Sequence, residues 1–366
     1  MKKRKNILHN ILRYILLATN ILVSILLIFS AYSDRISPEQ EIFFSYLGLV
    51  YPFICMANML FIFYWLLARK WFLLISLFSF LVCWEPTRNY FPLHPNREVP
   101  DTDVIKVLTY NVMGFANAVH TDKVPNRIVR YIAQSGADIV CLQEYTVREG
   151  NDKRLTSQKL NEALSMYPYY SVVRLKNLNN SLAIYSKYPI LLSRPILYSS
   201  HNNGSSIHLI NINGKTLTLI NNHLESFKLT SRDKSHYSDF ITEPGPEHFD
   251  ELRGTMRQKL GPAFLLRAKQ ARIIAEEIRK IRSDYTIVCG DFNDTPISYA
   301  HRTIQGNLRD AYADSGWGPS GTYNQNYFWF RIDHILFSPN MEVFNCTVDK
   351  VKYSDHYPVW CYLKLN

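Results

Sequence analysis

Six short stretches of this 366-residue chain set an acid, an amide or an imidazole against an apolar run. "LTYN" closes on Asn111, "IVCLQE" on Glu144, "LTLINNH" on His223, and "TIVCGDFN" on Asp291 and Asn293. "RIDHILF" carries Asp333 at its start, and "SDHYPV" puts Asp355 and His356 at the mouth of the last run. Singly, each has an ordinary reading: Asn111 caps a turn, Glu144 is a surface acid, His223 ends a hairpin, and Asp291 after Gly290 makes a turn. Gathered at one edge of packed sheets, they make a pocket of carboxylate and amide oxygens with two imidazoles. Oxygen ligands without thiolates select a hard cation, Mg²⁺ or Mn²⁺, over zinc. Such a pocket suits hydrolysis of a phosphodiester, whose barrier must fall by about 20 kcal/mol shared among metal, base and leaving-group acid. One histidine would manage the attacking water and the other the departing oxygen.

The elements that must position these groups alternate along residues 103–366. "VIKVLTYNV" and "ADIVCLQE" read as strands around an amphipathic helix that ends at Gly136. A second helix, "SQKLNEALSMYP", precedes short runs with hairpin signals: "LAIYSKYPILLS", "SSIHLINI", the turn "NGK" and "TLTLINNHLES". "FLLRAKQARIIAEEIRKI" places Leu265, Ala268, Ala271, Ala275, Ile278 and Ile281 on one helical face with Arg and Glu opposite. Strands outnumber helices and hairpins dominate the middle, which predicts an α/β domain of packed sheets with helices outside.

Hydrophobicity is concentrated in residues 1–84. Runs from Ile7 to Tyr32, Phe43 to Ala68 and Trp71 to Trp84 predict about three transmembrane helices, the third short enough that a re-entrant or surface helix is the alternative. The first run is longer than a signal-peptide core and ends in "FSAYSDR", which favours a retained helix. Lys2, Lys3, Arg4, Lys5 and Arg13 precede the first run, Arg69 and Lys70 follow the second, and "SDRISPEQE" between them is mostly acidic. The positive-inside rule then predicts a multi-pass integral membrane protein with a cytoplasmic N-terminus and an extracytoplasmic C-terminal domain, periplasmic in a bacterium. Four prolines in residues 85–102 predict an extended linker, with the domain boundary near Asp103.

Of the +10 formal charge, ten basic and six acidic residues precede position 103, leaving +6 for the domain. That excess suits an anionic substrate or lipid surface as well as a merely soluble basic domain. Six cysteines without C-x-x-C spacing exclude a zinc ribbon, and Cys346 and Cys361 flank neighbouring strand runs where a bridge could form outside the cell. "GWGPSG" matches G-x-G-x-x-G but carries Pro319, follows no strand and opens no helix; no G-x-S-x-G elbow accompanies the Asp-His pair. Two segments border the candidate pocket in sequence: the mixed insertion between His223 and the long helix, which walls a cleft or is simply solvated, and the aromatic "NYFWFR", a buried strand or a lipid-facing wedge.

"TYNV", "LQE", "NNHLES", "GDFND", "RIDHIL" and "SDHYPV" stand in the order and approximate spacing of the endonuclease/exonuclease/phosphatase superfamily, which includes DNase I-like nucleases, inositol polyphosphate phosphatases and neutral sphingomyelinases. The resemblance covers about Val104 to Leu365 and none of the membrane region. It implies a four-layer αββα sandwich and a metal held chiefly by Glu144 with Asn111 and Asp355 near it. It further implies that Asp291 orients or activates water, Asn293 binds phosphate, His356 is a catalytic imidazole held by Asp333, and His223 assists the leaving group. Abasic-site nucleases of this superfamily commonly carry an Asp where this chain has Met113, which counts against DNA repair. The expected activity is a membrane-anchored, Mg²⁺-dependent phosphoesterase acting on nucleic acid or another phosphodiester. The alternatives are a lipid or inositol-phosphate phosphoesterase resembling neutral sphingomyelinase, acting on phospholipid at the bilayer, and a non-catalytic binding module, which intact motifs disfavour.

Overall fold

A computed structural model describes residues 2–116, 120–121, 124–147, 154–174, 181–200, 202–325 and 330–366. Among the described residues, alternating apolar residues between 104 and 366 form twelve strands in two sheets. The first holds β1 (Val104–Asn111), β2 (Ile139–Tyr145), β3 (Tyr169–Arg174), β4 (Ser181–Ser186), β11 (Met341–Val348) and β12 (Val359–Leu365), in the order β11-β12-β1-β2-β4-β3. The second holds β5 (Ile190–Ile196), β6 (Gly204–Ile212), β7 (Lys215–His223), β8 (Tyr285–Asp291), β9 (Arg309–Asp310) and β10 (Asp333–Phe337), in the order β5-β6-β7-β8-β10-β9. Each sheet has one parallel pair at its centre, β1 with β2 and β7 with β8, and antiparallel neighbours elsewhere. The inward residues of both sheets, among them Val107, Ile139, Cys141, Leu219, Ile287 and Cys289, make one buried core. Gln143 crosses it, donating from Nε2 to Asn221 Oδ1 at 2.7 Å and pinning the sheets together near the end where the polar residues collect.

Helices cover both outer faces. Helices at Arg127–Gln134 and Ser157–Ala163 pack Ile128, Ile132 and Leu160 on the first sheet, the former capped by the Asn126 side chain. Gly261–Lys280 and Tyr299–Gln305 pack Ala271, Ile274, Ala300 and Ile304 on the second. The arrangement is the expected four-layer α/β sandwich. The insertion after His223 folds as Ser231–Thr242 and Pro246–Thr255, followed by a π turn over Met256–Leu260.

The three apolar runs of the N-terminal region take different forms: one continuous helix, one bent pair that is a broken span or a re-entrant loop, and one short helix. Among the described residues, Ile7–Ala31 of the first helix, α1 (Lys2–Ala31), is alone long and apolar enough to cross a bilayer. The expected second segment is broken into α2 (Phe43–Leu49) and α3 (Tyr51–Leu67), bent by 62° at Val50. Pro52 in the first turn of α3 cannot donate back to a preceding carbonyl, so the chain starts a new helix there. The third is α4 (Leu73–Val82), only ten residues. Polar side chains point into this bundle: Asn20 donates to Ser76 Oγ at 2.6 Å, Ser24 to Asn58 Oδ1 at 2.9 Å, and Trp65 Nε1 to Asn20 Oδ1 at 2.9 Å. Leu8, Leu12, Leu22, Phe63 and Leu67 face outward and exposed.

The expected extended linker is a packed strap. It begins with α5 (Trp84–Tyr90), where Pro86 in the first turn costs no internal hydrogen bond. Arg331 donates to Asn89 O at 2.8 Å, and Arg97 pairs with Glu342 at 3.2 Å, so the segment is tied along the sandwich. All six cysteines are free and buried, with no bridge between Cys346 and Cys361.

One buried group predicts acid sensitivity. Burial drives the His208 imidazole down to about 3, and it sits between the hydroxyls of Ser193 (2.7 Å) and Ser206 (2.8 Å). The folded protein keeps it neutral while the unfolded chain takes a proton below about pH 6.5, so stability falls as pH drops from 6.5 towards 3. We expect a loss of about 3 kcal/mol between pH 7 and pH 4 from this residue. Urea melts of His208→Gln should show a shallower acid limb; an unchanged limb would remove His208 as its source.

Candidate active site

Register brings three of the expected residues into one row. His223 is the cross-strand partner of Asp291 on β8, and Asp291 is the partner of Asp333 on β10. Directly opposed residues share a face, so all three project from the same end of the second sheet. From the facing sheet come Asn111 at the end of β1 and Glu144 near the end of β2. The β2–β4 register shifts between Leu142 and Tyr145, and Glu144 stands at φ 52° within that irregularity. A bulge of this kind re-aims a side chain, at a backbone cost of about 1–3 kcal/mol typical of functional positions. Gly290 is required for the opposite reason. With φ at 124°, a Cβ there would lie 2.1 Å from Asn222 O, so the close β7–β8 approach that seats Asp291 admits no side chain.

Asp291 is the hub. Its Oδ2 accepts from Asn111 Nδ2 at 3.1 Å and faces His223 Nε2 at 3.6 Å and His356 Nε2 at 3.7 Å. Asn111 Nδ2 also reaches Glu144 Oε1 at 3.1 Å, while its Oδ1 is occupied by the backbone N–H of Met113. His223 Nε2 lies 3.6 Å from Glu144 Oε1. His356 Nδ1 sits 2.8 Å from Asp333 Oδ2, and the backbone N–H groups of Ile332 and Asp333 are held by Thr322 Oγ1. Asp355 and Asn293 line the same cavity, Asn293 tied by Nδ2 to Leu224 O at 2.9 Å and by its N–H to Asp291 Oδ1 at 2.8 Å. All eight residues therefore meet at one end of the sandwich.

The electrostatics separate the two histidines. Burial lowers His223, with Asp291 opposing, so it is held neutral. Burial pulls His356 the same way, but the carboxylates of Asp333 and Asp291 outweigh it and push it up to about 10. Burial raises Asp291 to about 6 despite that imidazolium, because Asp333 adds repulsion. Glu144 is raised by burial and by Asp355, against the Asn111 hydrogen bond. Among the described residues no Lys or Arg pairs with Glu144, Asp291, Asp333 or Asp355. Four crowded carboxylates facing one imidazolium leave a negative surplus that fits a divalent cation. Glu144 and Asp355 both line the cavity. Asp291, Asp333 and His356 also offer clustered ligand atoms, within 4.8 Å of one another, but the 2.8 Å Asp333–His356 contact already fills the space between two of them.

Arg267 was missed by the sequence. The helix Gly261–Lys280 was expected to turn its arginines outward, yet Arg267 is completely buried beside Phe264, Ala268 and Ala271. Nε meets Asp294 Oδ2 at 3.0 Å and Nη1 donates to Glu225 O at 2.8 Å, with the guanidinium over Phe227 at 4.3 Å. It thereby clamps the loop after His223 to the loop after Asp291. The available signal was its spacing, three residues from Phe264 and four from Ala271 on the apolar stripe.

Above the acids opens a cavity of about 540 Å³. The insertion does wall it, through Leu229, Phe240, Leu252 and Met256. Of "NYFWFR", Phe330 lines the cavity and packs on Phe53 at 6.4 Å; Tyr327, Phe328 and Trp329 lie outside the described residues.

The model of the endonuclease/exonuclease/phosphatase family matches residues 108–356, spanning all eight site residues. This chain belongs to that family. As a member it is a hydrolase of phosphoester bonds, in a superfamily whose enzymes commonly use divalent metals. A second family model, described only as a domain of unknown function, matches residues 13–90. No curated protein matches the chain. Among solved structures, humanized D. rerio TDP2 aligns at 16% identity over 72% of this chain and 99% of its own, with a TM-score of 0.49. Beta toxin from Staphylococcus aureus aligns at 19% over 70% and 99%, TM-score 0.47. An endonuclease/exonuclease/phosphatase family protein from Bacteroides thetaiotaomicron aligns at 18% over 72% and 95%, TM-score 0.48.

Proposed function

We propose that this family member is a membrane-anchored, Mg²⁺-dependent phosphodiesterase that uses these eight residues to direct water at phosphorus. The observation that carries the reading is the convergence on Asp291 Oδ2 of Asn111, His223 and His356, from three distant segments, beside Glu144. Glu144 and Asp355 would hold the ion, Mg²⁺ or Mn²⁺, with Asn111 bracing Glu144. When bound, it would offset charge on the phosphoryl oxygens. Asp291, raised by burial towards neutrality, takes a proton from the attacking water. The water oxygen bonds to phosphorus as the phosphorus–leaving-oxygen bond breaks. His356, protonated and held by Asp333, gives its Nε2 proton to the departing oxygen. Neutral His223 keeps Nε2 on the carboxylates, and Asn293 steadies a phosphoryl oxygen. This assigns the leaving-group proton to His356, where the resemblance implied His223, because charge state favours the former.

For the chain as a whole we place the membrane region at 1–84, the strap at 85–102 and the catalytic domain at 103–366, outside the cytoplasm. Inward polar residues on apolar-faced helices support embedding of the whole bundle, since lipid inverts the usual placement. Alkaline phosphatase fused after Pro100 should be active; an inactive fusion with an active cytoplasmic reporter at the same point overturns the orientation. For catalysis, the full chain should hydrolyse bis(p-nitrophenyl) phosphate with Mg²⁺ and lose at least about 99% of that activity in EDTA, regaining it on Mg²⁺ or Mn²⁺ addition. Activity indifferent to EDTA would overturn the metal-assisted reading.

A further inference from the structure

The cavity over the acids is mostly apolar. Glu144, His223, Asp291, Asp355 and His356 form its floor, and Lys228, Asp233 and Thr255 add polar groups beyond it. Much of the apolar lining comes from two sources that the catalytic motifs do not include: the insertion, through Leu252 and Met256, and the elbow between α2 and α3, through Leu49, Val50 and Phe53. The elbow is fixed in place. Tyr46 donates from its hydroxyl to Met256 O at 3.0 Å and packs edge-on against Phe264 at 5.5 Å. A Cβ on Gly261 would lie 2.9 Å from the Tyr46 hydroxyl, and one on Gly48 would lie 2.6 Å from Ile297 O, so helix and sandwich meet at distances only glycine allows.

We infer that the substrate is a phosphodiester bearing a hydrocarbon tail, and that the elbow of the membrane region forms one wall of the site that holds the tail. The inference rests on the phosphodiesterase reading and adds the substrate class. Three observations carry it. The phosphate-facing floor and the apolar walls belong to one continuous cavity of about 540 Å³, in the range of small-molecule sites. Among the described residues, Lys228 is the sole Lys or Arg on its lining, and it is paired with Glu225 at 3.0 Å. A nucleic-acid groove instead tracks the phosphate backbone with Lys and Arg, and stacks bases on aromatic platforms. Finally, the elbow on the lining belongs to a bundle whose outer face is apolar, the surroundings a hydrocarbon tail prefers.

The test uses the full chain in amphipol with Mg²⁺ and a series of alkyl p-nitrophenyl phosphates, methyl, butyl and octyl, each below its micelle concentration. We expect kcat/KM to rise about two- to fourfold per added methylene until the tail site is filled. In Leu252→Asn and, separately, Val50→Asn, the ratio of octyl to methyl ester efficiency should fall at least about fivefold. Methyl ester turnover with no dependence on tail length would overturn the tail site while leaving the phosphodiesterase reading standing. A short single-stranded DNA cleaved more efficiently than the octyl ester would overturn it in favour of nucleic acid. Failure to cleave any ester with Mg²⁺ would strike down the phosphodiesterase reading, and this inference with it.

Discussion

Asp291→Asn should reduce kcat by about 10³- to 10⁵-fold while making the metal-free protein more stable. The substitution keeps the shape of the side chain, and its single amide oxygen can still accept from the Asn293 N–H, as Oδ1 does, so the β7–β8 edge stays pinned; the bond from Asn111 Nδ2 to Oδ2 is lost, at a cost of about 1 kcal/mol. Catalysis loses the group that takes the water's proton. The stability change has the opposite sign because Asp291 is wholly buried and its acidity is weakened to about 6. An acid whose folded value lies above its unfolded one destabilises the fold increasingly as pH rises through that interval, and fully above about pH 6. Removing the charge should therefore return about 3 kcal/mol at pH 7.5, or about 2 kcal/mol net of the lost Asn111 bond, measured as a raised urea midpoint in EDTA. At pH 4 the gain should nearly vanish. A variant that loses activity and stability together would mark Asp291 as a structural residue instead.

Glu144→Gln is the second large effect. About 30% of the Glu144 side chain remains exposed, and its one direct hydrogen bond, from Asn111 Nδ2, can be made equally to an amide oxygen. The fold should persist, and relief of the repulsion with Asp355 should leave stability unchanged or slightly higher. The ion, however, would lose one of the two carboxylates proposed to hold it. We expect Mg²⁺ affinity by calorimetry to fall at least about 100-fold and kcat about 10³-fold, with partial recovery at high Mn²⁺. Glu144→Asp should recover less than tenfold, because the shorter side chain withdraws the oxygen from the cavity. Undiminished metal binding in the glutamine variant would place the ion elsewhere.

Much of the site was legible because its residues sit where apolar runs end. The runs fix strands, a strand places its terminal residue at a sheet edge, and sheet edges on one side of a sandwich necessarily meet. What each residue does there was less legible. Asn111 was expected as a neighbour of the metal, and only the structure showed that its oxygen also accepts from the Met113 N–H while its amide group reaches Glu144 and Asp291. The two histidines look equivalent as letters, yet Asp333 sits 2.8 Å from one of them and burial governs the other. Arg267 escaped notice because an arginine on an apolar stripe reads as solvent-facing until its partners, Asp294 and the Glu225 carbonyl, are brought in from other elements.

The membrane region was only partly legible for a related reason. Hydropathy counts apolar residues along the chain, and residues 43–68 are apolar almost throughout, but it does not reveal the 62° bend before Pro52, which makes this segment a broken span or a re-entrant loop. The sequence by itself determined the α/β sandwich, the cluster of acids and imidazoles and the family, because local periodicity and motif order survive without coordinates. Only the tertiary structure decided which imidazole carries charge, which arginine is buried, and that the α2–α3 elbow walls the cavity. Those properties depend on distances between residues far apart in the chain, and burial and Coulomb energy are set by such distances, not by neighbours in sequence.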